Sequence, residues 1–138
     1  NLVGQALRGE PLTVFGDGRQ TRCFSYVGDI VPALVRLAEK PAAYGQAFNL
    51  GGPREVSIPA LAEPLVQDLG STSSIELVPY EQAYGAGFED MQRRVPDNTR
   101  AEQLFGFRPA TGLDEIILAV AARAEDKAEI GAAGKESR

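Results

Sequence analysis

The chain has 138 residues, 43% hydrophobic and 24% charged, which is room for one globular domain with a true core. A net charge of −5 argues against a nucleic-acid partner, and the absence of histidine removes the commonest general base and metal ligand. The one cysteine, Cys23, makes no internal disulfide, which fits a reducing, cytoplasmic compartment, and neither a membrane-spanning run nor a signal peptide is read.

The opening "NLVGQALRGEPL" starts without Met and reads as the middle of a helix over 1–9, stopped by Gly9, which leaves an engineered boundary, a processed end and a partial sequence open. "PLTVFG" predicts a short strand, with a turn at Gly16–Gly18. "CFSYV" alternates as a second strand. Asp29 then reads as the N-cap of a helix to about Lys40, with Ile30, Ala33, Leu34, Leu37 and Ala38 inward and Pro32 tolerated in the first turn. "QAFNLGG" predicts a strand entering a glycine turn. Ser57 caps a helix from Ile58 to about Leu69, with Pro64 as a kink and Gly70 as the stop. "IELVP" predicts a strand, and residues 80–96 show no period and read as loop. Asp97 or Asn98 caps a short helix to Phe105, closed by Gly106. Thr111, with Asp114 three residues on, opens a last helix that buries Ile116, Ile117, Val120 and Ala121. The region is read as one domain over 1–123. Residues 124–138, "AEDKAEIGAAGKESR", hold few large apolar side chains and predict a frayed tail. The order gives an α/β pattern.

Arg22 is the first chemical candidate. Its guanidinium is a fork of donors that matches phosphate oxygens, and it follows a glycine turn that lets backbone approach a ligand. The bland alternative is a surface ion pair with a carboxylate such as Asp17. Asn49 precedes Gly51–Gly52 at the carboxyl end of its expected strand, where ligands of α/β folds gather; it can equally be a turn asparagine bonded to its own backbone. Glu89, Asp90, Arg93 and Arg94 concentrate charge in the loop, as ligand contacts or as a solvated salt-bridged segment. Adjacent Glu89 and Asp90 do not supply the separation that paired catalytic acids need. Cys23 lacks a histidine partner and reads as structural, no metal-ligand cluster is present, and neither glycine-rich stretch matches a P-loop or dinucleotide fingerprint.

The stretch "ALRGEPLTVFGDGRQTRCFSYVGDIVPALVRLAE" resembles the extended short-chain dehydrogenase/reductase enzymes of the NAD-dependent epimerase/dehydratase family, nearest to UDP-glucuronate decarboxylase and dTDP-glucose 4,6-dehydratase. "FNLGG", "SIPALAE" and "RRVPDNTRAEQLFGFRPATGLDEII" follow in the family's order, so the likeness runs from about residue 1 to 120. It implies the C-terminal, substrate-binding part of a Rossmann-type α/β enzyme. Thr13, Val14 and Phe15 are then expected along the nucleobase, and Arg22 and Asn49 at the diphosphate. Asp90, with Arg93 or Arg94, is expected at the ribose and phosphates. Many relatives carry Arg-Pro-Gly-Asp where this chain reads "GFED", so Arg93 or Arg94 stands in for the usual arginine.

The family's N-terminal glycine-rich turn and its Tyr-x-x-x-Lys pair are absent: the residues four after Tyr26, Tyr44, Tyr80 and Tyr84 are Ile30, Phe48, Tyr84 and Phe88. The resemblance therefore implies NAD held by a missing N-terminal half, no catalytic residue in this chain, and a UDP- or dTDP-linked sugar as substrate. It also implies a homodimeric full-length enzyme that oxidises the sugar at C4. The alternative is a truncated or pseudo-enzyme module that binds a nucleotide sugar or a partner chain without chemistry.

Overall fold

A computed structural model describes residues 1–85, 87–88 and 90–133, of which 127–133 are described by backbone alone. The elements in chain order are α1 (Leu2–Leu7), β1 (Leu12–Phe15), β2 (Thr21–Cys23), α2 (Val27–Ala38), a 3-10 turn (Pro41–Ala43), β3 (Glu55–Ser57), α3 (Ile58–Asp68), β4 (Ile75–Val78), α4 (Tyr80–Tyr84), α5 (Thr99–Phe105) and α6 (Leu113–Ala133). No described helix is long and apolar enough to cross a membrane.

The strands form two separate ribbons. β1 pairs in parallel with β4, Leu12 opposite Ile75 and Phe15 opposite Val78. β2 pairs antiparallel with β3, Thr21 opposite Ser57 and Cys23 opposite Glu55. The period-2 pattern of β1 sends Leu12 and Val14 into the main core, with Ala6, Leu61, Ala62, Leu65 and Ile117 around them. A second cluster gathers Ala33, Ala101, Phe105 and Phe107 where α2 meets α5.

Several expectations hold. Ser57 caps α3, its Oγ accepting from the Ala60 N–H at 3.3 Å. Gly106 ends α5 in the left-handed conformation, φ 71°. Pro64 lies inside α3, and β4 spans the residues read for it.

Others are corrected. "QAFNLGG" forms no strand: a strand needs a neighbour, and no described segment ladders with it. Its glycines are held by side chains instead. The Gly51 N–H bonds Asn98 Oδ1 at 3.1 Å, Asn98 Nδ2 donates to the Gly51 carbonyl at 2.7 Å, and the Gly52 N–H bonds Ser25 Oγ at 2.7 Å. The second strand ends at Cys23 rather than continuing to Val27, because β3 offers only three residues to pair with. α2 consequently starts at Val27, and Asp29 is inside it. The Asp29 carboxylate accepts from the Thr111 N–H at 3.1 Å, tying α2 to the approach to α6. α6 opens at Leu113, and Glu115 rather than Asp114 reaches back, to the Gly112 N–H at 2.8 Å. Leu34, Ala38 and Val120, expected inside, are exposed, because only one side of the apolar faces of α2 and α6 is covered by other elements. Residues 80–84, read as loop, form α4. Helical backbone continues over 124–133, past Arg123, where a tail was expected; good helix formers dominate that stretch. The rest of the expected tail, 134–138, lies outside the described residues.

Candidate nucleotide-binding site

Alternation along β2 divides the site. Thr21 and Cys23 face one side of the ribbon and Arg22 the other. The chain returning toward α5 is docked here by the Thr21 N–H, which bonds the Gln92 carbonyl at 2.8 Å. That docking brings Asp90 to the Arg22 side and Arg93 to the Thr21 side.

On the Arg22 side, Nη1 donates to the Thr21 carbonyl at 2.8 Å and Nη2 donates to Asp90 Oδ2 at 2.6 Å. The two side chains are 19% and 29% exposed, so the pair is shielded but not sealed. The Tyr80 hydroxyl donates to the same Oδ2 at 3.1 Å, and the Met91 N–H takes Oδ1 at 2.7 Å. Burial, then the adjoining Asp90 carboxylate, pushes the Tyr80 hydroxyl above its ordinary pKa of 10.0, so it stays a donor. Aromatic rings adjoin this cluster. Tyr80 packs against Phe88 at 5.5 Å, Tyr84 stacks on Phe88 at 4.4 Å, and Phe15 meets Tyr84 edge-on at 5.3 Å.

On the other side, Arg93 grips Glu55 with two prongs, Nε to Oε1 and Nη2 to Oε2, both 2.9 Å, while the Thr21 hydroxyl donates to Glu55 Oε1 at 2.5 Å. The Cys23 thiol is pushed up by burial and by Glu55, with Arg93 partly offsetting them, which keeps it protonated and inert.

The expected ligand residues are thus distributed unevenly. Arg22 and Asp90 are in contact, and Phe15 joins their neighbourhood through Tyr84. Val14 is fully buried, backbone included, and offers a ligand no surface, contrary to the expectation for it, and the Thr13 hydroxyl accepts from Gln5 Nε2 at 3.0 Å. Asn49 is exposed and donates to the Asp97 carbonyl at 3.2 Å rather than to a residue of the Arg22 cluster. Arg93 is engaged by Glu55, and Arg94 is exposed with no ion pair to any described residue. The carboxylate that pairs with Arg22 is Asp90 rather than Asp17, which meets Arg19 at 3.7 Å. Glu89, weighed with Asp90 as an acid pair, lies outside the described residues. Among the described residues no cluster of metal-ligand side chains occurs. Sequence reasoning did not single out Tyr80, whose ring lies over the distant Gly16, or Asn98 as the partner of Gly51.

Residues 1–51 match the NAD dependent epimerase/dehydratase family. The chain is 40% identical over 120 residues to a UDP-N-acetyl-alpha-D-glucosaminuronate decarboxylase of Bacillus cytotoxicus, covering 84% of this chain and 37% of the relative. It is 41% identical over 113 residues to UDP-glucuronic acid decarboxylase 2 of Arabidopsis thaliana, covering 82% and 24%. It also superimposes, with a TM-score of 0.75 and 27% identity, on a UDP-glucuronic acid 4-epimerase from Bacillus cereus crystallised with UDP-glucuronic acid and NAD, covering 86% and 36%. The chain therefore spans about a quarter to two-fifths of the length of these proteins.

Proposed function

Because the chain belongs to the NAD-dependent epimerase/dehydratase family, with the extended short-chain dehydrogenase/reductase fold, we propose that it is the nucleotide-sugar-binding part of such an enzyme. The complete enzyme oxidises the sugar at C4, which opens epimerisation, dehydration or decarboxylation. In this reading Arg22 holds the diphosphate and Asp90 accepts hydroxyls of the sugar or ribose. Binding the non-reacting nucleotide orients the sugar for the chemistry.

The observation that carries the reading is the meeting of Arg22 and Asp90 at 2.6 Å. They come from distant parts of the chain, and an anion-binding fork beside a hydroxyl acceptor is what a nucleotide diphosphate requires.

The chain path after β1 supports an NAD site outside the described residues. The turn after β1 leads into another strand, not into a helix whose N-terminus meets a pyrophosphate. In our reading NAD is held by the part of the enzyme that corresponds to the remaining length of the relatives, and this chain alone turns over no nucleotide sugar.

Calorimetric titration with UDP tests the assignment. Saturable binding that Arg22→Ala abolishes or weakens at least tenfold supports it; equal binding by Arg22→Ala overturns it. Saturable binding of NAD to the chain would overturn the division of labour.

A further inference from the structure

The anion fork is already paired with a carboxylate. Arg22 gives one N–H to Thr21 and one to Asp90, so three of its five donors have no partner among the described residues. Asp90 Oδ2 accepts from both Arg22 and Tyr80, while Oδ1 accepts from the Met91 N–H, so among the described residues one acceptor position on Oδ1 has no partner. A bare phosphate arriving at Arg22 meets a guanidinium whose charge is offset and a carboxylate that repels it. A phosphate ester that also brings a hydroxyl group gives Asp90 a further donor, and the repulsion is offset.

Tyr80 fixes this arrangement independently of any ligand. Its ring fills the space over Gly16: a Cβ there would lie 2.3 Å from Tyr80 Cε2, and the backbone at Gly16 has φ 77°. The side chain is thus seated by main chain, and its hydroxyl holds Asp90 Oδ2 on the Arg22 side.

We infer that the Arg22–Asp90–Tyr80 cluster is a selectivity device, admitting phosphate esters that carry hydroxyl donors and rejecting bare inorganic anions, with Tyr80 as the residue that positions Asp90. The inference rests on the proposed nucleotide site and names what that site excludes.

The test titrates the wild-type chain and the Tyr80→Phe, Asp90→Asn and Arg22→Ala variants with UDP and with inorganic pyrophosphate, and records each melting curve. Wild type binds UDP at least tenfold more tightly than pyrophosphate. Asp90→Asn narrows that gap from both ends, tightening pyrophosphate and weakening UDP. Tyr80→Phe keeps the ring in its seat and narrows the gap about 2- to 10-fold, less than the range for a hydrogen bond to a charged group because Tyr80 acts on the ligand only through Asp90. Equal affinity of wild type for the two ligands overturns the inference, as does a Tyr80→Phe variant that leaves the gap unchanged or weakens both ligands alike. If UDP binds in an Arg22-dependent manner and these variants do not shift the ratio, the selectivity fails and the nucleotide site stands. If wild type binds neither ligand, both fail.

Discussion

Gly16 and Tyr80 occupy one space: the tyrosine ring lies where a side chain on the glycine would begin, 2.3 Å from the ideal Cβ position. The turn after β1 and the helix after β4 are thereby locked face to face, and the parallel pairing of those strands sets the approach.

Gly16→Ala should therefore be costly in two ways. The new methyl sits on a backbone with φ 77°, which L-residues rarely adopt, and it displaces the ring. We expect a loss of about 1–3 kcal/mol, the range for local backbone strain, read as a lower urea midpoint. UDP binding should weaken as well, because Asp90 loses the Tyr80 hydroxyl. Full stability in Gly16→Ala would mean that the ring is not seated there.

Arg22→Ala should lower ligand-free stability as well as affinity. An unpaired phosphate clamp would be neutral or mildly stabilising to remove. The Asp90 pair changes the sign, since its loss leaves a half-buried carboxylate with one strong partner fewer. A double-mutant cycle with Asp90→Asn should give a coupling of about 1 kcal/mol, more than most exposed pairs and less than a buried one. Affinity for UDP should fall by about 1.5–3 kcal/mol, the range for hydrogen bonds to charged groups. A coupling near zero would make the ion pair incidental.

Elements with their own period were legible in the sequence. α1, α3 and α5 and the strands β1 and β4 lie close to where local pattern and capping residues put them, because apolar spacing and caps are local signals. What failed was non-local. Residues 46–50 have strand composition, yet a strand exists only beside another, and the described chain provides none. α4 is five residues long, too short for a period to register. Arg22 could be singled out because it follows a glycine turn. Tyr80 could not, because its place depends on a missing side chain far away in sequence. Asp29 and Asn98 have cap-forming side chains, but both spend them on distant backbone rather than on their own helices.

Asn98 yields the third prediction. Its amide satisfies both backbone groups of buried Gly51, accepting from the N–H and donating to the carbonyl. Asn98→Ala leaves both orphaned and should destabilise by about 1–3 kcal/mol by chemical denaturation, without a selective effect on UDP. Asn98→Asp separates the two bonds: it keeps the acceptor and faces the Gly51 carbonyl with an oxygen. It should be no better tolerated than alanine, and a wild-type melting point for Asn98→Asp would show that the donor half carries nothing.

The last prediction concerns acid. Hydrogen bonds from Arg93 and then Thr21, with the Arg93 charge adding to them, hold the Glu55 carboxyl below its ordinary pKa of 4.5. A carboxyl lowered in the folded state releases its proton more readily there than in the unfolded chain. Its contribution to stability is therefore fully present above pH 4.5 and is lost as pH falls through the lower folded value. Because the pair is exposed, salt should shrink the effect. The melting temperature of the wild type should thus fall more steeply below pH 4.5 than that of Glu55→Gln, and the two curves should converge at the acid end. Glu55 also ties β3 to Arg93, which shares its docked segment with Asp90, so Glu55→Gln at neutral pH should loosen that segment and weaken UDP modestly. Parallel melting curves across the acid range would show that the Glu55–Arg93 contact is a solvated surface pair with no part in holding the site together.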